Sequence, residues 1–195
     1  MSTPSRCCRE EGASAAGRNP RIGTMRGMAN RPILTADEPI LHQRAKKVTT
    51  FDGSLHRLLR EMVETMRDAP GIGLAATQIG VPLQVAVIEL EEKVTELINP
   101  QVVRATGEVI DWEGCLSIPG FVAEVHRHAK VTVKARDRHG KEFRVKGEEL
   151  LARALQHEID HLNGILYIDY LDSLEELVRV SEHPSEVEEP TTAGI

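Results

Sequence analysis

Apolar residues recur at helical spacing early in the chain. One helical face is formed by residues at intervals of three and four: Leu55, Leu58, Leu59, Met62, Val63 and Met66. Asp52 or Ser54 can cap the first turn, and Pro70-Gly71 follows the last. The pattern predicts a helix over about residues 54–67 whose apolar stripe packs into the core.

Several later segments are predicted to form strands. Residues 83–89 and 94–104 are two of them, with a break in the second at Asn99-Pro100. Residues 130–136 alternate most clearly, and a turn over 137–140 leads into a returning strand from Phe143. These two segments are predicted to form a hairpin.

A second helix is predicted over residues 148–162. Leu151, Leu155 and Leu162 lie along one side, and Asn163-Gly164 ends it. Because strands mostly precede this late helix, the order of elements favours an α+β fold over alternating βαβ units. Ser173 and Glu176 form a capping box, predicted to begin a short helix that carries Leu174, Leu177 and Val178.

Length and charge divide the chain into one domain with two polar ends. The 195 residues suit a single core. Residues 1–30 are rich in Arg, Ser, Ala and Gly and are predicted to be a disordered leader, either upstream of a start at Met25 or Met28 or an organellar transit peptide. Residues 31–181 form the predicted domain, and 182–195 a disordered acidic tail.

Composition excludes several classes of function. A net charge of −6 and only 3% aromatic residues argue against a nucleic-acid-binding surface. Three cysteines are too few for a disulfide framework. No apolar run is long enough for a membrane helix.

The second predicted helix contains the sequence His157-Glu158-Ile159-Asp160-His161. Histidines four residues apart lie on one face, one turn apart, and can share a metal ion, with Glu158 beside it. The alternative is a surface helix whose histidines pair with acidic side chains. A metal site of this kind needs a third ligand.

Cys115, in the sequence Glu113-Gly114-Cys115-Leu116-Ser117, is the best candidate for the third ligand, because a thiolate next to a glycine in a segment between strands can approach a metal closely. The alternative is a small buried cysteine. Cys7 and Cys8 lie in the leader and are poor candidates.

The glycine-rich segment 71–80 allows close approach of another chain, and Gln78 can donate a directed hydrogen bond. The alternative is a plain connector between a helix and a strand.

Three segments together resemble the peptide deformylases: Gly71–Gln78, Glu113–Ser117 and His157–Gly164, in the order of that family. The resemblance spans about residues 32–171. It implies an α+β fold with antiparallel sheets around the helix that carries the metal ligands. It also implies a hydrolase that removes the formyl group of N-formylmethionyl chains and releases formate.

The resemblance implies a role for individual residues of this sequence. Cys115, His157 and His161 match the metal ligands, and Glu158 matches the general base and acid. Gln78 matches the side chain, and Leu116 the backbone N–H, that hold the oxyanion formed during the reaction. The backbone of Ile72 and Gly73 matches the strip that pairs with the substrate, and Leu150 and Ala154 fall in the methionine pocket.

The resemblance further implies the setting of the reaction. The expected ion is Fe²⁺, with zinc or nickel accepted by the same ligands. The expected substrates are nascent chains at the ribosome, and the enzyme is expected to be a monomer. Its expected location is the bacterial cytoplasm, or an organelle if residues 1–30 are a transit peptide. No direct contact with nucleic acid or membrane is expected. Val122 stands where many members of the family have an arginine that contacts the peptide.

Two other functions remain open from the sequence. One is an HExxH zinc metalloprotease, whose third ligand would lie downstream, at Glu175, Glu176 or His183. The other is a non-catalytic deformylase-like binding protein.

Overall fold

The two longest helices lie on opposite sides of an antiparallel sheet. The computed structural model describes residues 31–69 and 71–182. The helices are α1, Gly53–Asp68, and α2, Glu149–Asn163. In the described residues the strands are β1 Gly73–Ala75, β2 Val85–Leu90, β3 Lys93–Thr106, β4 Val109–Cys115, β5 Ile118–Arg127, β6 Lys130–Arg136, β7 Glu142–Glu148 and β8 Val178–Arg179.

The strands form two antiparallel sheets. One has five strands in the order β1-β2-β3-β6-β7, and the other has three in the order β4-β5-β8. The predicted α+β class and the predicted hairpin of β6 and β7 are confirmed. The predicted leader, and the predicted tail beyond residue 182, lie outside the described residues.

Strand β2 forms the centre of the core because both of its faces are covered. Val85 and Val87 pack with the buried stripe of α1, whereas Ala86 and Ile88 pack with α2. The stripe of α1 is buried as predicted, with Val63 only partly so. Asp52 caps this helix, since its carboxylate accepts hydrogen bonds from the N–H groups of Ser54 and Leu55 at 2.9 and 3.3 Å.

Helix α2 packs one face on the five-stranded sheet. Leu155, Ile159 and Leu162 contact the cluster that includes Val131 and Val133 of β6. The helix ends at Gly164, whose φ of 78° is the left-handed conformation that favours glycine. The prediction for 148–162 is confirmed.

The predicted break at Asn99-Pro100 is wrong, because β3 continues through it as an irregular strand. The register with β6 shifts between Ile98 and Gln101. Asn99 tolerates its positive φ of 52° and exchanges two hydrogen bonds of 2.8 Å with the backbone of Val48. The side chain therefore links β3 at this irregularity to the segment that precedes α1.

The segment around Cys115 is more regular than expected. Cys115 is the last residue of β4 rather than part of a segment between strands, and β4 and β5 pair from Val109↔Arg127 to Cys115↔Ile118. A register shift between Gly114 and Cys115 ends the regular pairing.

The short helix predicted after Ser173 is only three residues long. The capping box is present, but the 3₁₀ turn covers Leu174–Glu176 and the chain then forms β8 beside β5. Leu177 packs under the three-stranded sheet with Tyr167, whereas Leu174 is 66% exposed. Within the described residues, no helix is both long and apolar enough to span a bilayer.

Candidate metal centre

Side chains from two elements that are far apart in the sequence, β4 and α2, meet at one site. Cys115 at the end of β4 and His157 and His161 on α2 each offer a ligand atom, and these atoms all lie within 4.8 Å of one another. Cys115 Sγ is 3.2 Å from His161 Nε2, and the two imidazole rings stand edge to face, 4.9 Å apart. The structure thus brings together the three residues that the sequence predicts as metal ligands.

The donor set suits a divalent transition metal. One thiol and two imidazoles are the ligands of tetrahedral sites that keep a fourth position open. Among buried side-chain polar atoms of the described residues, only His161 Nδ1 and Glu158 Oε2 lack a hydrogen-bond partner, and both belong to this region. Glu175 and Glu176, considered as alternative ligands, are exposed and outside the group; His183 lies beyond the described residues.

A buried ion-pair network fixes the orientation of the His157 ring through its Nδ1 atom. The ring nitrogen Nδ1 of His157 donates to Glu113 Oε2 at 3.1 Å. Arg127 donates two hydrogen bonds to the same carboxylate, at 2.9 and 3.0 Å, and a third to Asp160 at 2.5 Å. Such a bond orients the imidazole so that its other nitrogen points at the metal position.

The network also sets the charges around the cluster. Burial raises the pKa of Glu113, but hydrogen bonds from His157 and Arg127 outweigh it and lower that pKa to about 2. Burial lowers the pKa of His157, but interactions with Cys115 and Glu113 outweigh it and raise that pKa to about 10. The pKa of His161 is held well below its usual value, mainly by burial and also by the charges of His157 and Arg127.

Glu158 is a buried carboxyl group beside the cluster. Glu158 is only 3% exposed, and this burial raises the pKa of its carboxyl group to about 7. A carboxyl group with a pKa in this range can both accept and release a proton near neutral pH.

Gln78 lies in a buried position next to the cysteine. It is part of a 3₁₀ turn over Ala76–Ile79, and its Oε1 accepts from Ala75 N–H at 2.8 Å. Its Nε2 donates to Ser117 Oγ at 3.1 Å and lies 3.5 Å from Cys115 Sγ. The side-chain amide is thus fixed with its N–H groups at the cluster.

An open cleft of about 420 Å³ leads to the cluster. The other sequence-predicted residues lie on its walls: Leu116, Ile72, Gly73, Leu150 and Ala154. The sequence does not predict further wall residues, namely Trp112, Phe121, Arg153 and Val180. A larger groove of about 1210 Å³ between α1 and the β6–β7 hairpin contains none of the cluster's side chains.

One wall of the cleft is an unpaired strand edge. Within residues 31–69 and 71–182, strand β1 pairs only with β2, and the carbonyl of Ile72 accepts from Glu89 N–H at 2.8 Å. Because backbone groups alternate sides in an antiparallel pair, Gly73 directs its N–H and C=O to the opposite edge. An extended peptide can pair there.

The contacts of Glu113 and Arg127 are the part of the site that sequence patterns do not reveal. Glu113 stands in the recognised segment, but nothing in its spacing indicates a partner 44 residues away. Arg127 matches an arginine that is frequent in the family the sequence resembles, but it lies on a strand with no motif of its own, and the sequence does not predict its ion pairs.

The chain is similar to proteins of one family over most of the described region. The family profile for polypeptide deformylase matches residues 30–177. A peptide deformylase of Alkaliphilus metalliredigens is 52% identical over 142 residues, which are 73% of this chain and 97% of the relative. One from Dehalococcoides mccartyi is 46% identical over 167 residues, 83% of this chain and 100% of the relative.

Solved structures show the same similarity in three dimensions. A crystal structure of a peptide deformylase from Legionella pneumophila has a TM-score of 0.74 at 49% identity, covering 76% of this chain and 89% of that one. The structure from Thermotoga maritima has a TM-score of 0.73 at 35% identity, covering 75% of this chain and 100% of that one.

Proposed function

The chain belongs to the polypeptide deformylase family, the metal-dependent hydrolases that remove the formyl group from nascent polypeptides, and from this premise we propose which of its residues carry out each part of the reaction. The observation that carries the proposal is the convergence of Cys115, His157 and His161 with Glu158 beside them at the end of the cleft. The site is a hydrolytic one, because it joins an open metal position to a carboxyl group.

Cys115, His157 and His161 would hold the ion. The chemistry that a divalent ion supplies in such a site is Lewis-acid activation of water and of the formyl carbonyl. Cys115 Sγ accepts hydrogen bonds from Ser117 N–H at 3.4 Å and from Gln78 Nε2 at 3.5 Å, which fix the position of the sulfur. We propose Fe²⁺ as the native ion; zinc and nickel suit the same ligands.

Glu158 moves the proton. Its carboxylate accepts a proton from the attacking water and passes it to the amine that leaves, so one group acts first as base and then as acid. The pKa of about 7 matches this double role. Negative charge on the formyl oxygen is stabilised by the Nε2 group of Gln78 and the backbone N–H of Leu116.

The cleft binds the formylmethionyl end. The outward backbone groups of Gly73, with Ile72 beside it, pair with the substrate backbone as an added strand. Leu150 and Ala154 form the apolar pocket for the methionine side chain, and the stem of Arg153 extends that wall. Arg153 donates to the carbonyl of Trp112 at 2.9 Å, which fixes its position.

The setting follows from the substrate. We propose that residues 31–181 act as a monomer on chains emerging from the ribosome, in the bacterial cytoplasm and without direct contact to nucleic acid. If residues 1–30 are a transit peptide, the protein acts in an organelle instead of the cytoplasm.

Two measurements on anaerobically purified protein test the proposal. We expect one divalent ion per chain and release of formate from formyl-Met-Ala, with no cleavage of internal peptide bonds. Cleavage of an unformylated peptide would indicate the metalloprotease instead, and a metal-loaded protein that releases no formate would indicate a binding protein.

A further inference from the structure

Tyr170 covers the outer side of the buried ion-pair network. Its hydroxyl donates to Asp160 Oδ2 at 2.9 Å, and the Arg127 guanidinium carbon lies 4.6 Å from the centre of its ring. The residue is 47% exposed, whereas the side chain of Arg127 is only 3% exposed. The phenol therefore stacks on one face of the guanidinium and contacts its second carboxylate partner.

This network connects the two elements that carry the metal ligands. Arg127 on β5 binds Glu113, which precedes Cys115 by two residues on β4. It also binds Asp160, which precedes His161 on α2. One guanidinium thus connects the strand that carries the thiol to the helix that carries the imidazoles.

We propose that Tyr170 is a positioning residue for the metal ligands. Its ring and hydroxyl hold Arg127 against Asp160, and Arg127 in turn holds Glu113 on His157. This inference rests on the proposed role of Cys115, His157 and His161 as ligands, and it assigns to Tyr170 no contact with substrate.

Loss of the phenol would let water reach the network. A cavity of about 230 Å³ already lies against Arg127 and Tyr170, lined also by Glu108, His126 and His128. Without the ring this cavity would widen beside the guanidinium, and more water there would weaken its ion pairs. Groups that orient metal ligands typically contribute about 10- to 100-fold in metal affinity, and Tyr170 acts one contact further out.

The test follows metal release from the cobalt-loaded full chain. Cobalt bound by a thiolate absorbs in the near ultraviolet, so its transfer to excess EDTA can be followed at 25 °C. We expect release about 10-fold faster for Tyr170→Ala and about 3-fold faster for Tyr170→Phe, which keeps the ring and loses only the hydroxyl. Leu174→Ala is the matched control, since it alters an exposed residue of the same segment.

The outcomes separate this inference from the proposed function. A wild-type chain that binds no cobalt would overturn the metal site and the inference together. A wild-type chain that binds cobalt, with variants that release it at the wild-type rate, would overturn the inference alone. A lower melting temperature for Tyr170→Ala with an unchanged release rate would also overturn it, because the residue would then stabilise the fold without positioning the ligands.

Discussion

Gly73 of β1 lies directly against the carboxyl group of Glu158. A Cβ atom at position 73 would stand 2.9 Å from Glu158 Cδ and would overlap Oε1. The neighbouring backbone edge and the buried acid are therefore packed with no room for a side chain between them. Glycine is needed here for space, because the proposed general base occupies the volume that any other residue would fill.

Gly73→Ala should lower deformylase activity while leaving the metal bound. The added methyl group would push the Glu158 carboxyl group away, and a displacement of about 1 Å at a reacting group can cost about 10²-fold in rate. Formate release and metal content measured on the same sample check this. Gly53→Ala is the control, because a Cβ there meets nothing within 4 Å; wild-type kcat/KM in Gly73→Ala would contradict the steric argument.

Glu158→Ala should abolish most turnover without loss of metal. The residue lies beside the ligands without being one of the group, and removal of a general acid–base typically costs about 10²–10⁴-fold. Gly73→Ala should then have little further effect in the Glu158→Ala background, since both changes act through one carboxyl group. Additive losses in the double variant would show that Gly73 acts by another route.

Cys115→Ser should lose or exchange the ion, because a hydroxyl is a much poorer ligand than a thiolate at neutral pH. The measurement is the metal-to-protein ratio after anaerobic dialysis. Replacement of Cys7 and Cys8 by Ser is the control and should leave the ratio unchanged. Full metal content in Cys115→Ser would remove Cys115 from the ligand set.

The metal-free protein should lose stability as pH rises from 7 to 10. Despite its burial, which acts in the opposite direction, the folded-state pKa of His157 is raised to about 10 by Cys115 and Glu113. The stabilisation by this proton is complete below the unfolded pKa of about 6.5 and is lost as pH rises through about 10.

Glu113→Gln provides the comparison, because it removes one of the groups that raise the pKa of His157. The melting temperature of the metal-free variant should fall less steeply than that of the metal-free wild type over this pH range. Equal slopes for the two proteins would show that the Glu113–His157 pair does not carry this pH dependence.

A chain limited to residues 31–181 should match the full chain in activity and melting temperature. A stop after Asp172 should not, because it removes Leu177 from the third cluster and β8 from the edge of β5. Burial of one partly covered leucine contributes about 1.5 kcal/mol, equivalent to roughly 3 to 6 °C in a domain of this size. Equal melting temperatures for both shortened chains would show that β8 does not stabilise the domain.

Elements with long regular patterns were predictable, and short irregular ones were not. The stripe of α1 and the alternation of β6 follow from local periodicity, so the sequence predicts both. Strands β4 and β5 have no clean alternation, and β5 contains Pro119 and Gly120. They are strands because they pair with each other and cover Tyr167, which are contacts that local pattern does not encode.

The sequence by itself determined that His157, Glu158 and His161 share one turn of a helix, because helical periodicity alone places residues four apart on one face. It also determined the family, since three short segments carry that resemblance. Only the tertiary structure decided that Cys115 Sγ lies 3.2 Å from a ring 46 residues away. The contacts of Arg127 with Glu113 and of Gly73 with Glu158 were decided in the same way. The physical reason is that such contacts depend on how strands pair and how side chains pack between segments distant along the chain, and these are properties of the whole fold.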